Sequence, residues 1–169
     1  MLVALTITLG ACGGKNTQPI EPATEVPADS SVQTAAPTTR GGLSPQEIER
    51  RDAERRRKAL LEQRTIYFDY DSTSVRREFE DQLRAHGQEL RDNRNSRVRL
   101  EGHADERGSR EYNIGLGERR AQEVRRLLML SGASATQITT ISYGEERPNA
   151  IGNDESAWSQ NRRVELIVR

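Results

Sequence analysis

Residues 101–121 read Glu-Gly-His-Ala-Asp-Glu-Arg-Gly-Ser-Arg-Glu-Tyr-Asn-Ile-Gly-Leu-Gly-Glu-Arg-Arg-Ala, and the change of rhythm inside this run decides the fold. Its first residues complete an alternation in which Val98, Leu100, Gly102 and Ala104 share one face and Arg97, Arg99, Glu101 and His103 the other, the period of a strand. A loop bracketed by glycines follows. From about Glu111 to Ser131 the apolar residues Leu116, Val124, Leu127 and Leu128 instead fall at helical spacing, and Gly132 supplies a stop. The run is therefore a strand, a polar loop and a helix in succession.

Working outward, Thr65–Tyr70 has the β-branched and aromatic content of a first strand. Val75, Phe79, Leu83, His86 and Leu90 recur on one face of a helix between the two strands. A third strand covers about Ile138–Tyr143, a short helix about Glu155–Gln160, and a last strand Arg163–Val168, with Val164, Leu166 and Val168 on its buried side. The alternation predicts a single α/β domain in the order βαβαβ(α)β, its helices packed on a mixed four-stranded sheet.

The segments before it are built differently. Of 169 residues only 33% are hydrophobic and 31% are charged, so part of the chain lacks a core of its own. Met1–Ala11 is an apolar signal-like segment, too short to span a bilayer, which takes roughly 20 residues. No basic residue precedes its apolar core, so its start is expected to be internal or trimmed. Residues 12–43 hold Cys12 and a tract rich in Pro, Thr, Ala and Ser. Such a tract cannot bury enough apolar surface to offset chain entropy and is expected to be a flexible tether, reaching about 30 Å. Residues 44–64 form a charged lead-in helix: Ser44 as N-cap, Pro45 in the first turn, Glu47 closing a capping box. The pairs Glu47/Arg51, Asp52/Arg56 and Glu54/Lys58 suit i,i+4 contacts on a solvated helix. The folded domain is expected over 65–169.

Several functions are disfavoured. Lys+Arg and Asp+Glu each total 26, and the basic Arg55–Lys58 is interleaved with acids, so no nucleic-acid partner is expected. The single cysteine allows no internal disulfide. Two histidines, one of them on an apolar helix face, fall short of a zinc site, and no metal or cofactor is expected. Ser109 beside His103 lacks a third orienting group, so the chain reads as a non-enzyme.

The polar residues of the central run do suit recognition. Asp105 lies in the loop after a strand end, where α/β sheets place ligands. Asn113 and Arg120 are seven apart on the helix, hence on one face and about 10 Å apart along the axis. A loop carboxylate and a helix guanidinium together suit a zwitterion, and the planar Arg fork suits its carboxylate end. An internal Asp105–Arg120 ion pair fits the same spacing. If the clamp holds, Asp105→Ala and Arg120→Ala should each lose binding with the fold intact.

The run resembles the signature of the OmpA-like peptidoglycan-binding domain family, most closely its peptidoglycan-associated lipoprotein branch. Four further pieces match in order: Tyr67–Asp71, Ser142–Pro148, Asn161–Val164, and Leu9-Gly10-Ala11-Cys12, which resembles a bacterial lipobox. The resemblance covers about Thr65 to Arg169. It implies an OmpA-like sandwich that binds the stem peptide of peptidoglycan noncovalently through meso-diaminopimelate. Asp105 would take the ammonium and Arg120 the carboxylate, with Tyr70, Asp71, Asn113 and Arg162 at neighbouring positions. It also implies lipidation of Cys12, anchorage in the outer-membrane lipid with the domain facing the periplasm, and contact with TolB in the Tol–Pal envelope system. An envelope hydrolase and a protein-docking lipoprotein outside that system stand as alternatives.

Overall fold

The computed structural model describes residues 42–169. The signal-like segment, Cys12 and the tether as far as Gly41 lie outside the described residues. Helix α1, Pro45–Glu62, starts where the capping box places it: Ser44 Oγ accepts from the Glu47 N–H at 3.2 Å, and Glu47 returns a bond to the Ser44 N–H. It buries no residue. The i,i+4 pairs expected along it do not close; Asp52 pairs instead with Arg55 at 2.6 Å. Both spacings are open to long solvated side chains at similar energy, so nothing holds the i,i+4 choice. Near its end Arg57 reaches Glu89 at 2.6 Å, a residue of the next helix.

Strand β1 is Thr65–Tyr67, helix α2 Glu80–Asp92, strand β2 Val98–His103, helix α3 Arg110–Leu130, strand β3 Ile138–Gly144, helix α4 Glu155–Asn161 and strand β4 Arg163–Val168. The sheet order is β1-β4-β2-β3, with β2 and β3 parallel and β4 antiparallel to both its neighbours. The mixed four-stranded α/β architecture is thus as expected. The core lies between this sheet and α2 and α3. Ile66, Leu100, Val164 and Leu166 meet Leu83, Val124 and Leu128 there, all at or near zero exposure.

Three local expectations need correction. β1 ends at Tyr67 rather than Tyr70, because the chain turns at Asp69–Ser72 and Asp71 takes φ +50°. Helix α2 begins at Glu80, so Val75 precedes it and Phe79 lies in a 3-10 turn, although both pack against the core. The periodicity recorded which residues touch the core, and a loop leading into a helix can share that face. Finally, Val168, expected on the buried side of β4 with Val164 and Leu166, is 40% exposed as the strand's last residue. On β2, by contrast, Glu101 and His103 are both buried. Their neighbours shield them, since Arg99 pairs with Glu101 at 2.5 Å, Arg163 with Glu165 at 2.7 Å, and Arg163 also donates to the Arg147 carbonyl at 3.3 Å.

One contact fixes β2 against α3. A Cβ on Gly102 would stand 2.0 Å from the Gly117 carbonyl oxygen, and one on Gly117 would stand 2.4 Å from Ser142 Oγ. Strand and helix touch backbone to backbone here, which holds the loop between them in a narrow span.

Candidate functional site

The loop from β2 to α3 is set at both ends. Ala104 N–H donates to the Gly144 carbonyl at 2.9 Å, tying the loop's start to β3. Ser109 caps α3, its Oγ accepting from the Tyr112 N–H at 3.2 Å. Between them Gly108 has φ +110°, a value that side chains resist. The loop so held presents Asp105 to a recess of about 190 Å³. Asp105, Leu116 and Arg120, all buried, form its depth; Tyr70, Asp71, Arg107, Gly108 and Tyr112 its rim. Other recesses are larger, about 280, 370 and 390 Å³, but none of them joins a buried carboxylate to a buried guanidinium.

Asp105 is 4% exposed and its partners are cations. Its Oδ1 accepts from the Arg107 backbone at 3.1 Å, and its Oδ2 from Arg107 Nη2 at 2.6 Å and Arg162 Nη1 at 3.3 Å. Burial alone pushes the carboxyl up, but the Arg107 bonds, then Arg162, outweigh it and leave it below its usual range. It is an anion at any physiological pH.

Arg120 is fully buried and spends three donors on backbone carbonyls: Ser72 at 2.8 Å, His103 at 2.9 Å and Asp69 at 3.0 Å. Burial brings its guanidinium down to about 10, with the Asp105 charge working against that. It remains a cation at neutral pH, on the floor of the recess. The internal Asp105–Arg120 ion pair is not formed. Arg120 instead ties β2's end to the Asp69–Ser72 turn, so truncating it should disturb the fold as well, contrary to the expectation from spacing.

The remaining sequence candidates divide. Tyr70 (61% exposed) and Asp71 stand on the rim, where the Tyr112 hydroxyl donates to Asp71. Arg162 lies behind Asp105, held by the Phe68 carbonyl at 3.1 Å and by Glu155. Asn113 shares the buried face of α3 with Arg120, but its amide donates to Glu145 of the loop after β3, outside the recess lining.

Sequence reasoning missed Arg107 and Tyr112. Arg107 Cζ lies 4.0 Å from the Tyr70 ring centre and 4.2 Å from that of Trp158, a guanidinium between two aromatic rings. Trp158 also donates its indole N–H to Glu106 at 3.0 Å. The one available signal was the Asp-x-Arg spacing, which lets a carboxylate accept from the backbone two residues on. Among the described residues no cluster of His, Cys, Asp and Glu is suited to hold a metal ion.

The sequence pattern of the OmpA family matches residues 67–162, more than half of the chain, and takes in β2, β3 and helices α2, α3 and α4. The chain belongs to the OmpA family. Among curated relatives, the peptidoglycan-associated lipoprotein of Pseudomonas putida is 57% identical over 102 residues, covering 60% of this chain and 61% of that protein. That of Pasteurella multocida is 45% identical over 108 residues, covering 63% of this chain and 72% of its own length. The match to the Pseudomonas relative thus spans about three fifths of its length. Among solved structures, the peptidoglycan-associated lipoprotein from Burkholderia pseudomallei superposes with a TM-score of 0.64 at 42% identity, covering 65% of this chain and 93% of that one. The C-terminal domain of Helicobacter pylori MotB shares the fold, with a TM-score of 0.57 at 19% identity over 62% of this chain and 83% of its own. The OmpA-family match begins at Tyr67, two residues into β1, and ends at Arg162, just before β4. It therefore includes the β2–α3 loop, both recess carboxylates and Arg120.

Proposed function

We propose that this OmpA-family domain binds peptidoglycan noncovalently through the meso-diaminopimelate of its stem peptide, without cleaving it. The observation that carries this reading is the recess itself, where the buried Asp105 carboxylate and the buried Arg120 guanidinium approach one small cavity from opposite elements. A diaminopimelate end carries an ammonium and a carboxylate on one carbon, and each has a counter-charge there. Tyr70 and Asp71 serve at the rim; Arg162 positions Asp105; Asn113 acts indirectly, by holding the start of α3 to the loop after β3. The relatives named peptidoglycan-associated lipoproteins support the same ligand.

In this reading the protein is a tether. Lipid on Cys12 anchors it in the outer membrane, residues 13–43 span part of the periplasm, and the domain holds the wall and contacts TolB of the Tol complex. One charge-assisted contact contributes about 1.5–3 kcal/mol, so a single site binds modestly. Confinement to a membrane facing the wall raises the effective concentration enough to compensate.

The test is co-sedimentation with purified sacculi beside thermal denaturation of each variant. Asp105→Asn should lose on the order of a hundredfold in wall binding, the equivalent of about 2.7 kcal/mol. Arg120→Lys should bind partially, since an ammonium lacks the planar fork. Arg120→Ala should also melt earlier, because three carbonyls lose their donor. Undiminished sedimentation of a folded Asp105→Asn protein defeats the clamp, and soluble fragments released from the sacculi would favour the hydrolase alternative.

A further inference from the structure

Asp105 already has a cation. Arg107 Nη2 stands 2.6 Å from its Oδ2, and the Arg107 side chain is 29% exposed whereas that of Asp105 is 5% exposed. The guanidinium therefore lies between the carboxylate and solvent, on the path a ligand must take. The second cation, Arg162, is buried behind and bonded to Phe68 and Glu155, so it stays. Arg107 is held otherwise by stacking on Tyr70 and Trp158 and by Glu155 at 3.8 Å, whose other oxygen serves Arg162.

The geometry points to Arg107 as the residue that sets ligand specificity: a resident cation on Asp105 that a ligand ammonium displaces, and that then pairs with the ligand's own carboxylate. This rests on reading the recess as a diaminopimelate site, and it names the chemistry the site accepts. A plain amine that displaces Arg107 exchanges one cation for another and leaves the guanidinium only the more distant Glu155, at 3.8 Å, already bonded to Arg162. A ligand with ammonium and carboxylate on the same carbon restores both pairs, the carboxylate lying between Arg107 at the rim and Arg120 on the floor. The recess thereby rejects an amine that its carboxylate alone would accept. Discrimination of this kind comes from the penalty on the wrong ligand.

Two tripeptides isolate the effect: L-Ala-γ-D-Glu-meso-diaminopimelate, and the same peptide with L-Lys, which keeps the side-chain ammonium and lacks the carboxylate on the carbon that bears it. Each is titrated calorimetrically into the full chain. The wild type should favour the diaminopimelate peptide by at least about tenfold, the ratio set by one unpaired charge-assisted contact. Arg107→Gln should bring that ratio towards one, chiefly by gaining affinity for the lysine peptide, a gain that misfolding cannot produce. Arg107→Lys, which keeps the cation but not the stacked plane, should retain part of the ratio. An unchanged ratio in folded Arg107→Gln, or an equal loss for both peptides, overturns the proposal while leaving the diaminopimelate site in place. Binding of neither peptide by the wild type overturns both.

Discussion

His103 sits at the end of β2 with 2% exposure, its ring 5.7 Å from that of Tyr143, and neither ring nitrogen has a hydrogen-bond partner among the described residues. Burial first, then the nearby Arg163, brings its pKa from 6.5 down to about 4. The folded protein thus binds fewer protons than the unfolded chain between about pH 4 and 6.5, so its stability is complete above that window and declines as the pH falls through it. The loss from this ring amounts to at most about 3 kcal/mol. His86, lowered chiefly by burial against its bond to the Gln63 carbonyl, adds in the same direction. Melting temperature should fall from pH 7 to pH 4.5, and an NMR titration should place the His103 midpoint near 4. A midpoint at 6.5 would mean that the ring is paired or hydrated. The backbone of the same residue bears on the recess, because the His103 carbonyl accepts from Arg120 at 2.9 Å.

Between elements, the backbone contact of Gly102 with Gly117 is what brings the Asp105 loop and the Arg120 helix to one cavity. Gly102→Ala puts a methyl where the Gly117 carbonyl already is, so β2 and α3 must separate. The expected cost is about 3 kcal/mol or more, which lowers the melting temperature by roughly 10 °C or prevents folding. Gly115 is the control on the same helix. A Cβ there meets only the far end of Arg119 at 3.3 Å, and Gly115→Ala should stabilise by about 0.5–1 kcal/mol. Elements such as these were legible in sequence wherever the pattern was local. Val164 and Leu166 alternate onto the buried side, and the strand runs Arg163–Val168 as read. Asp105 was legible because a carboxylate just past a strand end stands out. Arg107 was not, since what makes it a site residue is two rings, Tyr70 and Trp158, that only the folded sheet brings to it. The structural duty of Arg120 was not legible for a related reason: spacing gives the face of a helix but not which carbonyls await it.

At the scale of the molecule, the domain is self-sufficient in its contacts. Its core residues all lie between Ile66 and Leu166, and α1 adds only half-buried leucines and exposed ion pairs such as Arg57–Asp92 at 3.4 Å, worth about 0–1 kcal/mol. A chain beginning at Ser44 should therefore melt cooperatively at the temperature of the full chain and sediment with sacculi as well; an unfolded product would reveal a packing role for residues 1–43. The direction of α1 has a mechanical side. Its Arg57 lies beside Glu89 and Asp92 at the end of α2, while the Gln63 carbonyl just after it accepts from Gln82 and His86 nearer the start of α2. The two helices run antiparallel, and the dozen residues before Arg57, about 18 Å of helix, point away from the recess. Tension between Ser44 and a ligand held at Asp105 would therefore pull β1 along its own axis. The rungs Thr65–Glu165, Ile66–Val164 and Tyr67–Arg163 would then be loaded together in shear instead of peeling open one after another.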